Sequence, residues 1–123
     1  MIDEQIMELQ KYLRKLSKVI NECVCFTWMN KKIVDKHRVD DVLCCIEGSL
    51  PDSYQNYVKK KHKKQLSSYT TYMQLLQAIK NKPLFSTSHY SVNFNEANIL
   101  INRLIKEFEC DIKRIQNKET DMV

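Results

Sequence analysis

The sequence predicts an all-α fold of about five helices, two long ones at the ends and three shorter ones between them. Three observations carry this expectation. One glycine and two prolines in 123 residues leave little material for tight β-turns. The chain is 43% hydrophobic and 28% charged, a balance that suits amphipathic helices. Finally, Ile2, Ile6, Leu9, Leu13, Leu16, Ile20 and Cys23 recur at alternating steps of four and three, the spacing of a helix with one buried stripe.

That stripe predicts a first helix from about Asp3 to Phe26. Asp3, Glu4 and Glu8 come early in it and Lys11, Arg14, Lys15 and Lys18 late, the order that suits the helix dipole. Residues Thr27 to Val34, TWMNKKIV, break the period and read as a connection. Asp35 is placed to cap a second helix whose inner face is Val39, Val42, Leu43 and Ile46, with Leu50 just beyond. Gly48 falls where a left-handed C-terminal cap is expected, so this helix ends near Glu47. Pro51 suits the first turn of the third helix and Asp52 its positive end.

Tyr54, Tyr57 and Val58 anchor the third helix, which reaches Leu66 through Lys59 to Lys64 if the lysine stems cover apolar neighbours. Ser67 and Ser68 offer caps for a fourth helix with Tyr72, Met73, Leu75, Leu76 and Ile79 inward, stopped by Lys82 and Pro83. Residues 84–92, LFSTSHYSV, have no helical period and read as the longest irregular connection. A last helix is expected from Asn93 or Asn95 to about Asn117, with Ile101, Leu104, Ile105, Phe108, Ile112 and Ile115 inward. The expected organisation is one helical domain over residues 1–117 and a loose tail over 118–123.

Composition excludes several classes of function. No apolar run approaches the roughly 18 residues of a membrane span, and the acidic amphipathic start does not read as a signal peptide. A soluble protein of the cytoplasm is expected. Five cysteines, an odd number, lack the pattern of a disulfide framework and read as reduced, mostly buried thiols. Neither Cys23 with Cys25 nor Cys44 with Cys45 has zinc-ligand spacing, so no metal or other cofactor is expected. His37, His62 and His89 are isolated and no phosphate loop or nucleophile motif accompanies them. The expectation is a protein without enzymatic activity or a small-molecule substrate.

Charge is more informative. Between Ser53 and Asn95 there is no Asp or Glu, while Lys59, Lys60, Lys61, Lys63, Lys64, Lys80 and Lys82 give the segment +7 within a chain of net +5. These lysines are either a solvated face or a contact for an acidic protein or a nucleic acid. Without arginine such a contact attracts phosphates as point charges and reads no bases.

The run from Lys32 to Val58, KIVDKHRVDDVLCCIEGSLPDSYQNYV, resembles the C-terminal half of the capsid region of Copia-type retrotransposon Gag proteins. Val39, Val42, Leu43 and Ile46 lead into a joint of the family's SLPxSYxxxV form at Ser49, Leu50, Pro51, Ser53, Tyr54 and Val58. The segments Tyr12 to Glu22 and Ser67 to Asn81 are similar to the helices on either side, so the resemblance covers residues 12–81. The basic run KKKHKK, the last helix and the lack of a CCHC knuckle depart from the family's pattern. The resemblance implies a helical shell-forming module that works by packing.

The expected function is therefore protein–protein interaction and self-assembly. The surfaces expected to carry it are Leu9, Leu13, Leu16 and Ile20, or the matching Ile101, Leu104, Phe108 and Ile112, although the same stripes serve equally as the inside of a bundle. Two other expectations stand beside it: a small helical effector that binds a cellular protein, and an electrostatic RNA-binding module acting through the lysine run.

Overall fold

Ile6, Leu9, Leu13, Leu16 and Ile20 are all buried along one side of α1 (Ile2–Glu22). The side chain they face is supplied by the same molecule. In this computed structural model, which describes residues 2–62 and 66–121, α1 packs on α5 (Phe94–Asp121), whose own stripe of Ala97, Ile101, Leu104, Phe108, Ile112 and Ile115 is buried. Polar contacts set their register: Ser17 Oγ donates to Asn98 Oδ1 at 2.7 Å, and Gln10 Nε2 donates to the Ile105 carbonyl at 3.4 Å.

Between these two long helices the described residues form a three-stranded antiparallel sheet and three shorter helices, so the fold is mostly helical and not all-α. Helix α1 stops at Glu22, before the predicted Phe26, because Val24, Thr27 and the aromatic Phe26 and Trp28 favour extended backbone. They form β1 (Val24–Trp28), which turns back through Met29 and Asn30 into β2 (Lys31–Asp35). Both turn residues have positive φ, 49° and 64°, as a two-residue hairpin with the right twist requires. Asn tolerates this geometry and Met ordinarily does not. The stretch Thr27 to Val34, expected to be a connection, is therefore a hairpin. The expected irregular connection 84–92 also ends in a strand, β3 (His89–Val92), which pairs with β2 and gives the order β1-β2-β3.

Asp35 caps α2 (Lys36–Gly48) as predicted, accepting the Arg38 amide at 3.2 Å. The predicted left-handed cap at Gly48 does not form. Gly48 is the last helical residue, no glycine has positive φ, and Ser49 closes the helix in a right-handed conformation with its Oγ donating to the Cys45 carbonyl at 2.8 Å. Pro51 precedes α3 (Asp52–Tyr57), which runs on as a π-helical turn to His62.

Helix α4 (Ser67–Ile79) is capped by a distant residue. Instead of a local serine side chain, Asp111 of α5 accepts the Ser68 amide at 2.9 Å, while Ser68 Oγ shares a 2.7 Å hydrogen bond with Tyr54 Oη. Thr71 Oγ1 adds a donation to Glu107 Oε2 at 2.6 Å, and Tyr54 and Tyr72 both set their rings against Phe108. At the start of α5 Asn93 and Glu96 form a reciprocal cap. The helix continues through Asn117 to Asp121, so residues 118–121 of the expected tail are helical and 122–123 lie outside the described residues. No helix among the described residues is long and apolar enough to cross a membrane.

The sheet has two unlike faces. Val34, Tyr90 and Val92 point into the main core, and Tyr90 Oη donates to Asp40 Oδ1 at 2.7 Å, tying β3 to α2. The cross-strand register puts Phe26, Ile33 and Ser91 together on the other face, with Trp28 and Lys31 beside them.

Candidate functional site

The residues expected to mediate self-association are inside the molecule. Leu9, Leu13, Leu16, Ile20, Leu104 and Ile112 are 0% exposed, and Ile101 and Phe108 are 1% exposed. As placed, they are the seam between α1 and α5, so the fold itself satisfies both stripes and neither is a free surface.

The lysines separate into two groups. Lys59 and Lys60 are exposed on the π-helical turn near the start of α4, and Lys80 and Lys82 are exposed beyond its end. Thirteen helical residues, roughly 18 Å of axis, lie between the two groups. Lys61 belongs to the π-helical turn, and Lys63 and Lys64 lie outside the described residues. The described lysines of the +7 segment do not make one continuous patch.

The cysteines also differ from expectation. Cys23 is half-buried and Cys25, Cys44, Cys45 and Cys110 are exposed; all five are free. They are exposed because leucine, isoleucine and valine already fill the inward positions of their helices. Arg38 Nη1 donates to Cys23 Sγ at 3.1 Å. Among the described residues, no three His, Cys, Asp or Glu side chains converge as a metal site would require. His37 is exposed. His89 Nδ1 bonds Ser86 Oγ at 2.7 Å and its ring lies 6.3 Å from that of Phe26, so it helps hold a loop in place.

That loop builds the site. Of the large hydrophobic side chains left exposed, Met7 and Ile99 stand singly on helices, which is ordinary for a protein surface. The other five, Phe26, Trp28, Met29, Leu84 and Phe85, gather on the outer face of the sheet. The loop from Asn81 to Ser88 crosses this face and is held at both ends. Ser91 N donates to the Asn81 carbonyl at 2.6 Å, Lys36 N to the Ser88 carbonyl at 3.0 Å, and Ser86 N to the Pro83 carbonyl at 3.3 Å. Phe85 then lies 5.6 Å from both the Phe26 and Trp28 rings, tilted against the first and edge-on to the second. Ile33 is fully buried yet outside the main core, as its place on this outer face explains.

The cover is incomplete. Trp28 is 53% exposed, Met29 80%, and Leu84 is wholly extruded. Beside them runs a groove of about 740 Å³ lined by Trp28, Met29, Leu84 and Phe85 with Lys31 and Lys82 at its rim. Contiguous apolar surface of this kind is an interaction site more often than a solvent face. A smaller cleft of about 240 Å³ opens over Phe108 between α3 and α4, apolar apart from Gln55 and Lys59.

Sequence reasoning placed FTWMN and PLF in connections and so passed over the site. The usable signal was there: Phe26 and Trp28 alternate at period two, followed by an asparagine suited to positive φ. Leu84 and Phe85 carried no periodic signal, since only the docking of their loop brings them to the sheet.

The chain matches no family model, no curated protein and no solved structure.

Proposed function

We propose that this chain is a non-enzymatic protein–protein interaction domain of the cell interior that docks through the outer face of its sheet. The observation that carries the reading is the gathering of Phe26, Trp28, Met29, Leu84 and Phe85 around one groove. Each half-exposed ring or thioether that a partner covers gains about 1–2 kcal/mol from the hydrophobic effect, enough for a few such anchors to sustain a complex. Five free cysteines, four of them exposed, suit a reducing compartment.

An assembly role of the capsid kind, as the SLPDSYQNYV joint suggests, belongs to this reading with the docking moved from the helix stripes to the sheet. The aliphatic tips of Met29 and Leu84 favour a protein over a nucleic acid, because bases stack on open ring faces and these rings are packed against one another.

The test compares the wild-type chain with a Trp28→Ser, Leu84→Ser variant in affinity capture from cells, followed by calorimetry with the purified captured protein. Both positions are exposed, so the variant keeps the helical circular dichroism and melting temperature of the parent. A protein bound by the parent and lost by the variant supports the reading. Equal binding by both defeats it.

A further inference from the structure

Resting on that reading, we infer that the occupant of the groove is an extended, acidic segment of a partner protein that pairs with the free edge of β1 as a fourth strand. The sheet order leaves β1 with one neighbour, β2, and among the described residues no backbone hydrogen bond reaches β1 from any other element. An edge of this kind presents unpaired amides and carbonyls to an incoming strand. The register shift between Val24 and Phe26 limits the regular edge to Phe26, Thr27 and Trp28. Few backbone bonds are therefore on offer, and side-chain anchors and charge must supply much of the affinity. The anchors are in place: Phe26 and Trp28 share one face of the strand, and Phe85 and Leu84 extend that face past the edge of the hairpin.

Charge selects the occupant. Lys31 and Lys82 rim the groove at the hairpin end, and no acidic residue occurs from 54 to 94 to offset them. The nearest acids on the sheet side are engaged, Asp35 with the Arg38 amide and Asp40 with Tyr90 Oη. At the other end of β1 the exposed Glu22 is outnumbered by the exposed Lys18 and Arg38. A second copy of the chain paired on this edge, in either direction, would set cations against cations, whereas carboxylates on a partner strand meet attraction at both ends.

The experiment pans a displayed library of short random peptides against the full chain and measures enriched synthetic peptides by fluorescence anisotropy. The expected peptides carry Asp or Glu together with large apolar residues at alternate positions. Their affinity falls at least about tenfold on raising salt from low to physiological, on N-methylation of alternate backbone amides, and in a Lys31→Glu, Lys82→Glu variant. That charge-reversed variant binds better to the same peptides rewritten with lysine. Failure to enrich peptides, or enrichment of neutral or basic ones, overturns the inference. Peptides that need Trp28 and Leu84 but ignore charge and N-methylation overturn strand pairing alone and leave the interaction reading standing. Peptides indifferent to the Trp28→Ser, Leu84→Ser variant overturn both. A dimer seen by light scattering and strengthened by the charge reversal names a second copy as the occupant and also overturns the inference, as does binding of single-stranded homopolymers through the same residues.

Discussion

The α1–α5 seam and the outer face of the sheet are both rich in large apolar side chains, yet one is sealed and the other open. In the seam, Leu9, Leu13, Leu16 and Ile20 meet Ile101, Leu104, Phe108 and Ile112 and none is more than 1% exposed. On the sheet, Phe26, Trp28 and Phe85 touch one another and remain about half exposed. The difference is one of layers. Each helix stripe has a second element of matching length to lie on, while the outer face of the sheet has only an eight-residue loop, Asn81 to Ser88, which covers Ile33 and little more. Apolar surface that the chain can cover becomes stability, and what it cannot cover is left for recognition.

The largest effect expected from breaking this contrast is in the seam. Leu13→Ala or Leu104→Ala removes a fully buried side chain and leaves a cavity, so each lowers stability by about 2–5 kcal/mol in denaturant titrations. Leu84→Ser, with its side chain wholly in solvent, changes stability by less than about 0.5 kcal/mol. Similar losses at the two positions would erase the distinction between the regions.

Alkali sharpens the comparison next, because the shifted phenols belong to the helical body. Burial, first among the causes, raises the pKa of Tyr54 and Tyr72 well above the ordinary 10.0, with the Glu47 carboxylate adding to the shift at Tyr72. Tyr90 is pushed up to about 12, by burial and then by Asp40. The unfolded chain ionises these groups near pH 10 and the folded chain only at higher pH. Their contribution is thus complete below pH 10 and is lost as pH rises through the folded values. Each fully buried phenol takes away about 1.4 kcal/mol per pH unit in that window. Urea midpoints on either side of pH 10 measure the slope, and Tyr72→Phe reduces it. A flat profile in the wild-type protein would contradict the burial of these rings.

Asp111 tests whether a polar contact holds the helical body as firmly as its apolar seam. Asp111→Ala leaves the buried Ser68 amide without its acceptor and costs about 1–3 kcal/mol, whereas Asp111→Asn keeps an acceptor oxygen and recovers part of the loss. Equal melting temperatures for Asp111→Ala and wild type would show that α4 needs no cap from α5. The smallest effect has the opposite sign. Gly48 is helical, and a Cβ there meets nothing within 4 Å, so Gly48→Ala stabilises by about 0.5–1 kcal/mol. Destabilisation would instead mark the left-handed cap that its place after Glu47 suggested.

Helical segments were legible wherever a 3.6-residue period ran long enough to identify a face. The stripes of α1 and α5, the Asp35 cap of α2 and the Asn93 start of α5 all stand in the structure where the residues placed them. What escaped were short elements and distant pairings. The strands β1, β2 and β3 are five, five and four residues long, and β3 joins β2 across more than fifty intervening residues. No local pattern specifies such a partner. The cysteines were misplaced for a related reason, since a thiol goes inside only if larger apolar residues leave it room.

By itself the sequence determined that two long amphipathic helices would bury their stripes, because apolar residues at helical spacing cannot all avoid water unless another surface covers them. Only the tertiary structure decided that each stripe covers the other, that Asp111 caps a helix 43 residues earlier in the chain, and that Leu84 and Phe85 come to rest beside Trp28. Local propensity acts through neighbours a few bonds away. The docking surface joins a hairpin to a loop more than fifty residues on, and only the packing of the whole chain brings them together.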